Sequence, residues 1–373
     1  MPKTIKILHI ITDTNSGGAG RHLLTLIDAI DKNNFSIEAA VPTGSRLVPE
    51  LSGRNIHYTE ANHIADRSFS YRGYQELLKL IKKNEPDIVH THASLSGRIA
   101  ARMCNRPIVY TRHSVFEPSP KSTRFPLKQF MGYVNNRYSD KVIAVSPAAK
   151  EVLVKQGTSP EKISIIYNGV PPIKKCPENR KAILQQSYGI PPEAFVISQI
   201  ARLDDIKGHD YTLDAAKIWS NDPDIIVVIA GSGPLENHLR KRIKDESIKN
   251  IIMAGFVRQI DELLNITDLQ INTSYGSEAT SLSLLEGMSL GIPAVASDFG
   301  GNPFVITNGI NGFIYPQKDS AALANAVLKI KNNRDLYMNM SENSQTEYNN
   351  RFRVNVMARD IEKIYTSLLE LTN

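Results

Sequence analysis

The chain has 373 residues, with 44 lysines and arginines against 38 aspartates and glutamates and a net charge of +6. One hydrophobic core rarely serves this length, so two domains of roughly 150 to 200 residues are expected. No apolar run approaches the ~18 residues that a membrane-spanning helix needs, and the opening residues read as a β-strand instead of a signal sequence, which predicts a cytoplasmic protein. Cys104 and Cys176 match no metal or redox spacing and are expected to be free thiols.

The positive charge is concentrated in the first half of the chain. Residues 1–170 contain 23 lysines and arginines against 14 carboxylates, whereas the remainder contains 21 against 24. The basic residues are densest between Arg98 and Lys141. This asymmetry indicates that the first half meets an anionic partner. Nucleic acid is not expected as that partner, because the basic residues accompany no recognisable nucleic-acid module.

Short β-rich runs alternate with amphipathic stretches along the whole chain. In the first half, strands are predicted at Ile5–Ile11, Phe35–Val41, Asp87–Thr91, Ile108–Thr111, Lys141–Val145 and Ile163–Ile166, and helices at Gly20–Ile30, Tyr74–Lys83, Leu95–Met103 and Pro147–Gln156. In the second half, strands are predicted at Phe195–Ala201, Ile225–Ala230, Ile251–Ala254, Leu269–Asn272, Ala294–Ala296 and Phe313–Tyr315. The alternation predicts two α/β domains, each a doubly wound parallel sheet of Rossmann type.

The domain boundary is predicted at a stretch rich in proline and lysine. Residues 168–178 are unlikely to form regular structure and are assigned as the linker. The predicted domains are therefore residues 1–167 and 179–353. Residues 354–371 read as an amphipathic helix.

The strongest functional pattern lies between Ser274 and Gly301. A short apolar strand precedes it, and a helix is predicted over Ser283–Leu290. Glu278 falls in the connecting loop, and Glu286 falls in the first turn or two of the helix. Free backbone N–H groups there favour an anion such as a diphosphate. Alternatively, Ser283 and Glu286 form only a capping box.

These glutamates carry a family resemblance. Separated by seven residues and followed by GMSLGIPAVAS, they resemble the E-x7-E signature of the retaining glycosyltransferases of family 4. The resemblance implies the GT-B fold, in which two Rossmann-like domains face each other across a cleft and close around the substrates. It implies that the first domain binds the acceptor, the second binds the nucleotide sugar, and the last helix, residues 354–373, returns to the first domain.

The resemblance also implies roles for the two glutamates. Glu278 would hold the sugar hydroxyls and Glu286 the ribose hydroxyls, so that neither acts as a nucleophile. Retention would then proceed by front-face attack, with the departing diphosphate taking the proton of the acceptor. The chain departs from the family pattern at Ala279, Ser281 and Phe304, where Gly, Pro and Glu are common.

Further candidates follow other strand ends, where open parallel sheets bind their ligands. The glycines after the first strand would let the backbone approach a phosphate, although a tight turn explains them equally well. By resemblance, Gly17 and Gly18 face the donor diphosphate and the acceptor. A lone histidine at a strand end is usually a structural hydrogen-bonding group, but the resemblance implies that His113 contacts the transferred sugar. His92 is assigned a supporting place behind it.

Two cations follow the first strand of the second half. Arg202 and Lys207 suit a diphosphate, the arginine through its planar fork and the lysine as a point charge. Solvated surface charge is the alternative, and the resemblance favours the diphosphate. The remaining donor contacts implied by strand ends and by the resemblance are Gly231, Phe256, Val257, Thr280, Ser281 and Leu282.

A metal site is not expected. Asp222-Pro-Asp224 has the letters of a D-x-D metal motif, but it precedes a strand and is predicted to be a turn. No other carboxylate or histidine cluster suggests a metal. No cofactor is predicted besides the donor substrate.

One basic segment could contact a membrane. Residues 121–138 interleave four basic residues with Phe125, Phe130, Tyr133 and Tyr138. This pattern fits docking on anionic lipid headgroups, which would bring the protein to a lipid-linked acceptor. The alternative is an ordinary helix with a half-buried aromatic face.

The resemblance, together with the residues at the strand ends, thus predicts a metal-independent, retaining transferase that moves a sugar from a nucleotide diphosphate, expected to be UDP, to a glycan or lipid-linked acceptor in cell-surface polysaccharide synthesis. A non-catalytic subunit that only binds nucleotide sugar is one alternative, although decay of that kind usually removes some of the four charged site residues. A hydrolase with the two glutamates as an acid/base pair is another.

Overall fold

The computed structural model describes residues 4–15, 17–116 and 119–370. The chain divides into two compact units. The first contains the residues up to Gly169 together with those from Val354 onward, and the second runs from Val170 to Arg353. Residues 171–177, within the predicted linker, have no regular secondary structure.

The first unit is built on a parallel sheet of seven strands in the order β3-β2-β1-β4-β5-β6-β7. Its elements up to the linker are β1 (Ile5–Ile11), α1 (Gly18–Ala29), β2 (Phe35–Pro42), α2 (Val48–Gly53), β3 (His57–Ala61), α3 (Tyr71–Asn84), β4 (Ile88–His92), α4 (Leu95–Met103), β5 (Ile108–Arg112), α5 (Leu127–Arg137), β6 (Lys141–Ala144), α6 (Pro147–Lys155) and β7 (Ile163–Ile165). The order reverses between β1 and β4, so the sheet is doubly wound.

The sequence did not reveal β3, which lies at an edge of the sheet and has only one buried side chain. Its half-exposed residues lack the apolar run that marked the central strands. The structure also begins α1 two residues earlier than predicted, with Gly17 as the residue before the helix.

The second unit is built on a parallel sheet of six strands in the order β10-β9-β8-β11-β12-β13. Its elements are α7 (Glu178–Ser187), β8 (Phe195–Ile200), α8 (His209–Trp219), β9 (Ile225–Ala230), α9 (Glu236–Asp245), β10 (Ile251–Gly255), α10 (Ile260–Asn265), β11 (Leu269–Asn272), α11 (Leu282–Ser289), β12 (Ala294–Ser297), α12 (Asn302–Val305), β13 (Gly312–Tyr315), α13 (Ser320–Lys331) and α14 (Arg334–Glu347). Here the strand order reverses between β8 and β11.

The last helix, α15 (Val354–Glu370), belongs to the core of the first unit. Its residues Met357, Ile361 and Tyr365 are almost fully buried and share one apolar cluster with residues of β1 and α1. The separate core of the second unit includes Trp219, which is 1 % exposed. No helix in the described part of the chain is both long and apolar enough to cross a membrane.

Candidate active site

The charged sequence candidates of the second unit follow β8 and β11, the two strands between which its sheet order reverses. At such a switch point the loops on either side diverge and leave a crevice that binds ligands in doubly wound sheets. A short 3-10 turn after β8 ends at Lys207, and the loop after β11 contains Glu278.

Glu278 and Lys207 are brought together at this switch point. Lys207 Nζ lies 2.8 Å from Glu278 Oε2 and 3.1 Å from the carbonyl oxygen of Ser277, to which it donates a hydrogen bond. The same carboxylate oxygen accepts hydrogen bonds from Asn272 Nδ2 at 3.2 Å and from the Ser274 hydroxyl at 3.1 Å. Glu278 is only 8 % exposed, so three donors fix the position of its carboxylate.

A second layer of polar residues holds these donors, and sequence reasoning missed it. Asn302 donates to the Ser297 hydroxyl at 3.1 Å and to Asn272 Oδ1 at 3.4 Å. The Ser297 hydroxyl donates to the carbonyl oxygen of Ser274 at 2.5 Å. Asn302 and Ser297 are both fully buried. The only available signal was a polar residue at the end of β12 and another at the start of α12, which does not reveal partners 30 residues away.

Two adjacent glycines let another loop approach Glu278 closely. Gly301 N–H donates to the carbonyl oxygen of Glu278 at 2.8 Å. A Cβ at Gly300, whose φ is +61°, would lie 2.1 Å from that oxygen, and a Cβ at Gly301 would lie 1.8 Å from the carbonyl oxygen of Ala279. Neither distance is sterically allowed, so the contact requires glycine at both positions.

Helix α11 begins directly after this loop, at the predicted anion-binding position. Ser281 precedes the helix without a side-chain capping bond, and the Ser283 hydroxyl donates to the carbonyl oxygen of Ile200 at 3.1 Å. The alternative of a capping box between Ser283 and Glu286 is therefore wrong, because Ser283 is inside the helix and bonded elsewhere. Glu286 lies in the second turn and is 7 % exposed. Thr280 is equally buried, and Leu282 is partly exposed.

Arg202 is placed differently from Lys207. Its side chain is 70 % exposed and forms an ion pair with Asp204. Gly231, which follows β9, has φ +154°, and a Cβ there would lie 1.9 Å from the carbonyl oxygen of Ala201. This glycine is therefore needed for packing against the end of β8, whether or not a ligand lies beside it.

The predicted base-contacting residues lie after β10. The Phe256 side chain is 72 % exposed, and Val257 is partly exposed. Asp222 and Asp224 lie at the opposite end of the sheet, in the predicted turn before β9. Asp222 Oδ2 forms an ion pair with Lys331 Nζ at 2.6 Å. This carboxylate therefore has a structural role in the second unit.

In the first unit the switch point lies between β1 and β4. Gly17 and Gly18 follow β1 at the start of α1, and a Cβ at Gly18 would have no heavy atom within 4 Å. His113 follows β5, and its Nε2 lies 2.7 Å from His92 Nδ1. The structure thus brings His92 into contact with His113, and the supporting role of His92 in a sugar site stays a prediction.

Three more histidines surround this pair, and the sequence did not reveal that they lie together. His9, His90 and His92 are buried, with ring nitrogens within 4.8 Å of one another. The parallel pairing of β1 with β4 puts His9 opposite His90, so an H-x-H at the end of one strand beside a histidine on its neighbour was the missed signal. His22 on α1 packs edge-on against His113 at 4.8 Å between ring centroids.

Burial keeps these imidazoles neutral. Desolvation lowers the pKa of His9 to about 3 and that of His22 to about 4, although the hydrogen bond from His22 to Asn168 opposes the shift. It also lowers the pKa values of His90, His92 and His113 well below the usual range. Neighbouring imidazoles add to these shifts because a second positive charge nearby would be unfavourable.

The basic segment of the first unit separates into structural and exposed residues. Arg98 is 5 % exposed, donates to Asn135 and Ser139, and lies 4.3 Å from the ring centroid of Tyr110. Arg102 pairs with Asp140 at 2.6 Å. These two arginines therefore stabilise the first unit and are unavailable to an anionic partner.

Three of the four aromatic residues of the segment face outward, whereas Tyr138 is half-buried. Phe125 is 80 % exposed, and Phe130 and Tyr133 on α5 are each 63 % exposed. The opposite side of α5 is buried through Gly132 and Asn135. The alternative of a half-buried aromatic face is therefore wrong for these three side chains. The exposed basic residues around them are Lys121, Arg124, Lys128 and Arg137.

Chemically, the second unit combines a buried carboxylate, a lysine and a helix start. The carboxylate can accept hydrogen bonds from hydroxyl groups, while the lysine and the free N–H groups of the helix start attract an anion. The three features lie around one loop, which suits a ligand that carries hydroxyls next to a phosphate.

Comparison with known proteins agrees with this chemistry. A family model described as Glycosyl transferases group 1 matches residues 180–347, and one described as Glycosyltransferase Family 4 matches residues 16–173. The UDP-Gal:alpha-D-GlcNAc-diphosphoundecaprenol alpha-1,3-galactosyltransferase of Escherichia coli is 30% identical over 305 residues, which are 79% of this chain and 78% of the relative.

Two further similarities concern a second relative and a solved structure. The alpha-monoglucosyldiacylglycerol synthase of Streptococcus pneumoniae is 27% identical over 293 residues, 71% of this chain and 63% of that protein. The crystal structure of Anabaena HepE in complex with UDP has a TM-score of 0.85 at 22% identity, and the alignment covers 97% of this chain and 100% of that one. This structural likeness shows the fold.

Proposed function

The chain belongs to the family 4 glycosyltransferases and has their GT-B fold, and we propose that it is a retaining, metal-independent transferase that moves a sugar from UDP to a lipid-linked or glycan acceptor. The observation that carries this proposal is the arrangement of Glu278, Lys207 and the start of α11 around one loop. The carboxylate of Glu278, which would bind the sugar hydroxyls, lies beside the ammonium group of Lys207, which would bind the leaving phosphate.

The leaving group is stabilised electrostatically in this proposal. Lys207 and the N–H groups at the start of α11, after Thr280 and Ser281, hold the diphosphate while negative charge develops on it. Arg202 is exposed and forms an ion pair with Asp204. When the donor binds, its guanidinium group leaves Asp204 and pairs with a phosphate oxygen instead. Lys207 supplies the positive charge that a divalent cation supplies in other transferases.

The sugar and ribose are held by the two glutamates. Glu278 accepts hydrogen bonds from the sugar hydroxyls, and Glu286 from the ribose. Glu278 Oε2 already accepts three hydrogen bonds, which suits a fixed acceptor better than a nucleophile. Attack by the acceptor on the same face as the departing diphosphate then retains the anomeric configuration, and the diphosphate takes the proton of the acceptor.

The choice of UDP and of a lipid-linked acceptor comes from the relatives. The Escherichia coli relative is named for UDP-Gal and a diphosphoundecaprenol acceptor, and the Streptococcus pneumoniae relative is named for a diacylglycerol product. The Anabaena structure contains UDP. We therefore place this chain in the synthesis of a cell-surface polysaccharide or glycolipid.

A lipid-linked acceptor requires the protein to reach a membrane surface. We propose that α5 and the residues before it dock on anionic lipid headgroups. Phe125, Phe130 and Tyr133 would enter the interface, and the exposed lysines and arginines around them would pair with lipid phosphates.

The decisive experiment is donor hydrolysis without acceptor. Purified protein is incubated with UDP-, GDP- and ADP-sugars, and nucleotide release is followed by chromatography, with Glu278→Ala as the control. Slow release of UDP from one donor, absent in the variant, is the expected result. Analysis of the anomer in a transfer product then tests retention, and assay in EDTA tests metal independence.

Other outcomes would contradict the proposal. Tight UDP binding without release, even with a lipid-diphosphate-sugar acceptor present, would instead identify a non-catalytic subunit that binds nucleotide sugar. Absence of nucleotide binding would overturn the donor site itself.

A further inference from the structure

A buried glutamine contacts the turn that ends at Lys207. Gln199 lies near the carboxyl end of β8 and is only 1 % exposed. Burying a primary amide inside a parallel sheet is unfavourable unless its N–H and C=O groups are hydrogen-bonded. The proposed transfer gives this side chain no role, and so buried a group cannot itself touch a substrate. Its function must therefore be sought in its hydrogen-bond partners.

The amide of Gln199 uses both its donor and its acceptor atom. Its Nε2 donates to the Thr273 hydroxyl at 2.8 Å and to the carbonyl oxygen of Lys207 at 3.2 Å. Its Oε1 accepts from the hydroxyl of Thr212 on α8 at 2.7 Å. A reversed amide would place its oxygen against the carbonyl oxygen of Lys207, where neither group can donate. Gln199 therefore has one orientation, which the fully buried Thr212 fixes from behind.

Thr273 connects the same turn to the loop that carries Glu278. It directly follows β11 and is 1 % exposed. Its hydroxyl, which accepts from Gln199, donates toward the carbonyl oxygen of Lys207 at 2.7 Å and that of Gly208 at 3.0 Å. The backbone at Lys207 is therefore held from β8 and from the loop after β11 at the same time.

Backbone contacts make the turn after β8 and the loop after β11 one packed body. Tyr275 N–H donates to the carbonyl oxygen of Ile206 at 3.0 Å. Gly208 has φ +68°, and a Cβ there would lie 2.2 Å from the carbonyl oxygen of Thr273. This approach is possible only for glycine. A shift of the turn would therefore also disturb the loop.

The side chain of Lys207 extends from this fixed backbone. Its Nζ lies 2.8 Å from Glu278 Oε2 and 3.1 Å from the carbonyl oxygen of Ser277. The flexible four-carbon stem of a lysine keeps one geometry only if both of its ends are held. Glu278 and Ser277 hold the ammonium end, whereas Gln199 and Thr273 hold the backbone end.

From these contacts, we propose that Gln199, oriented by Thr212, is a positioning residue that sets Lys207 for the diphosphate of the sugar donor. It acts through the carbonyl oxygen of Lys207 and the Thr273 hydroxyl. The diphosphate as ligand rests on the proposed function, but the dependence of Lys207 on Gln199 does not, so the two can fail separately. Moving the ammonium group by about 1 Å from the leaving group would slow the reaction about 10-fold or more.

The first test uses Gln199→Met and nitrogen-15 NMR of the ligand-free protein with labelled lysine. Methionine keeps the length of the side chain but has no N–H donor. A lysine ammonium group that is held by hydrogen bonds exchanges its protons slowly enough to give a signal, and Lys207→Arg assigns the Lys207 signal by its loss. We expect this signal in the wild-type protein and its loss in Gln199→Met.

Gln185→Met is the matched control. Gln185 on α7 of the second unit is 5 % exposed, and its amide donates to the carbonyl oxygen of Pro192 at 3.4 Å. This variant removes the same group elsewhere in the unit and should leave the Lys207 signal unchanged.

A pair of variants at Thr212 tests the same proposal without changing Gln199. Thr212→Val keeps the shape of the side chain but removes the hydroxyl that orients the amide, whereas Thr212→Ser keeps that hydroxyl. The Lys207 signal should weaken in the valine variant and remain in the serine variant. If Gln199→Met does not fold, this pair decides.

The second test is a double-mutant cycle measured by UDP-sugar hydrolysis. Gln199→Met should lower kcat about 10-fold in the otherwise wild-type protein. It should lower kcat no further in a Lys207→Ala background, because the group that it positions is absent. A glutamine that acts only through general stability would give the same loss in both backgrounds.

The proposal is overturned if wild-type Lys207 gives no ammonium signal, if Gln199→Met leaves that signal intact, or if Gln185→Met removes it equally. Additive losses of kcat in the cycle would also overturn it. A wild-type protein that hydrolyses no donor, but whose Lys207 signal depends on Gln199, would contradict the proposed function and still support the positioning of Lys207.

Discussion

At the scale of single residues, the environment of Glu278 depends on groups far away in the chain. Lys207, its ion-pair partner, is 71 positions earlier, and Asn302 reaches it through Asn272. A short helix and a polar loop give these groups their positions. The carboxylate is thus prepared before any ligand arrives, which is how preorganised sites lower the cost of binding and of charge development.

Replacing Glu278 by glutamine should strongly reduce activity without unfolding the protein. The amide keeps the size of the side chain but loses the negative charge beside Lys207. We expect UDP-sugar hydrolysis to fall by about 100-fold, equivalent to about 2.7 kcal/mol in the barrier. Steady-state nucleotide release measures this change.

Asp222→Asn is the control for that variant, because it also removes a carboxylate from a lysine pair in the second unit but at the other end of the sheet. Its hydrolysis rate should stay within about twofold of wild type. Equal rate losses in the two variants would mean that Glu278 affects the hydrolysis rate only through the stability of the folded protein.

Arg202→Ala should weaken nucleotide binding while leaving the fold intact. The side chain is 70 % exposed, so its loss removes little packing. Because a hydrogen bond to a charged group contributes about 1.5–3 kcal/mol, UDP affinity should fall roughly 10- to 100-fold in calorimetric titration. Arg240→Ala, which removes another exposed arginine paired with a carboxylate, should bind UDP normally. Wild-type affinity in Arg202→Ala would remove this residue from the donor site.

At the scale of elements, α5 differs from α1 and α15, two other helices of the first unit, in what it exposes. Helices α1 and α15 bury their apolar residues against the sheet core. The buried side of α5 instead consists of small and polar residues such as Gly132 and Asn135, while Phe130 and Tyr133 point outward. Exposed aromatic groups beside basic residues are typical of membrane-surface helices.

We therefore predict that the double substitution Phe130→Ser and Tyr133→Ser reduces sedimentation with vesicles that contain anionic lipid. The partition coefficient should fall by about 10-fold or more, because each substitution removes most of the transfer free energy of an aromatic side chain. Ile183→Ser, which changes an exposed apolar residue of α7, is the control and should sediment like wild type. Equal binding of the wild type to neutral and anionic vesicles would contradict the role of the basic residues.

At the scale of the whole molecule, the two units differ in their response to acid. The first contains five buried neutral histidines, namely His9, His22, His90, His92 and His113. In the second unit, burial lowers the pKa of His209 to about 4. A histidine whose pKa is lower in the folded state stabilises the fold fully only above its unfolded pKa of about 6.5, and this stability is lost as the pH falls toward the folded value.

The first unit should therefore unfold before the second on acidification. Between pH 6.5 and 5.5 each such histidine removes about 1 kcal/mol of unfolding free energy, so the five together remove roughly a third or more of an ordinary domain's stability. Urea titrations at pH 7.5, 6.5 and 5.5 can separate the units. Fluorescence of Trp219, the single tryptophan, follows the second unit, while circular dichroism follows both.

The expected result is a circular dichroism transition that moves to lower urea faster than the tryptophan transition does as the pH decreases. Coincident transitions with the same pH dependence would mean that the histidines of the first unit are not buried as neutral groups.

Much of this architecture was determined by local sequence. The buried strands of both sheets are short apolar runs such as Ile225–Ala230, which are rich in β-branched residues and too short for a buried helix. The prediction of two Rossmann-like domains with the GT-B fold is confirmed. The spacing of Glu278 and Glu286 is likewise local, because it depends only on one loop and two turns of helix. That spacing supported the family assignment before any tertiary contact was known.

Other features were decided only by tertiary structure. Whether a polar residue at a strand end is solvated or hydrogen-bonded to another side chain depends on which strands are neighbours. Strand order cannot be predicted from local sequence patterns. The pairing of β1 with β4 creates the histidine cluster, and the closeness of β8 and β11 joins Lys207 to Glu278. The sequence by itself therefore determined the elements and the signature, whereas the fold decided which of their side chains share hydrogen bonds, because such bonds require contacts between residues far apart in the chain.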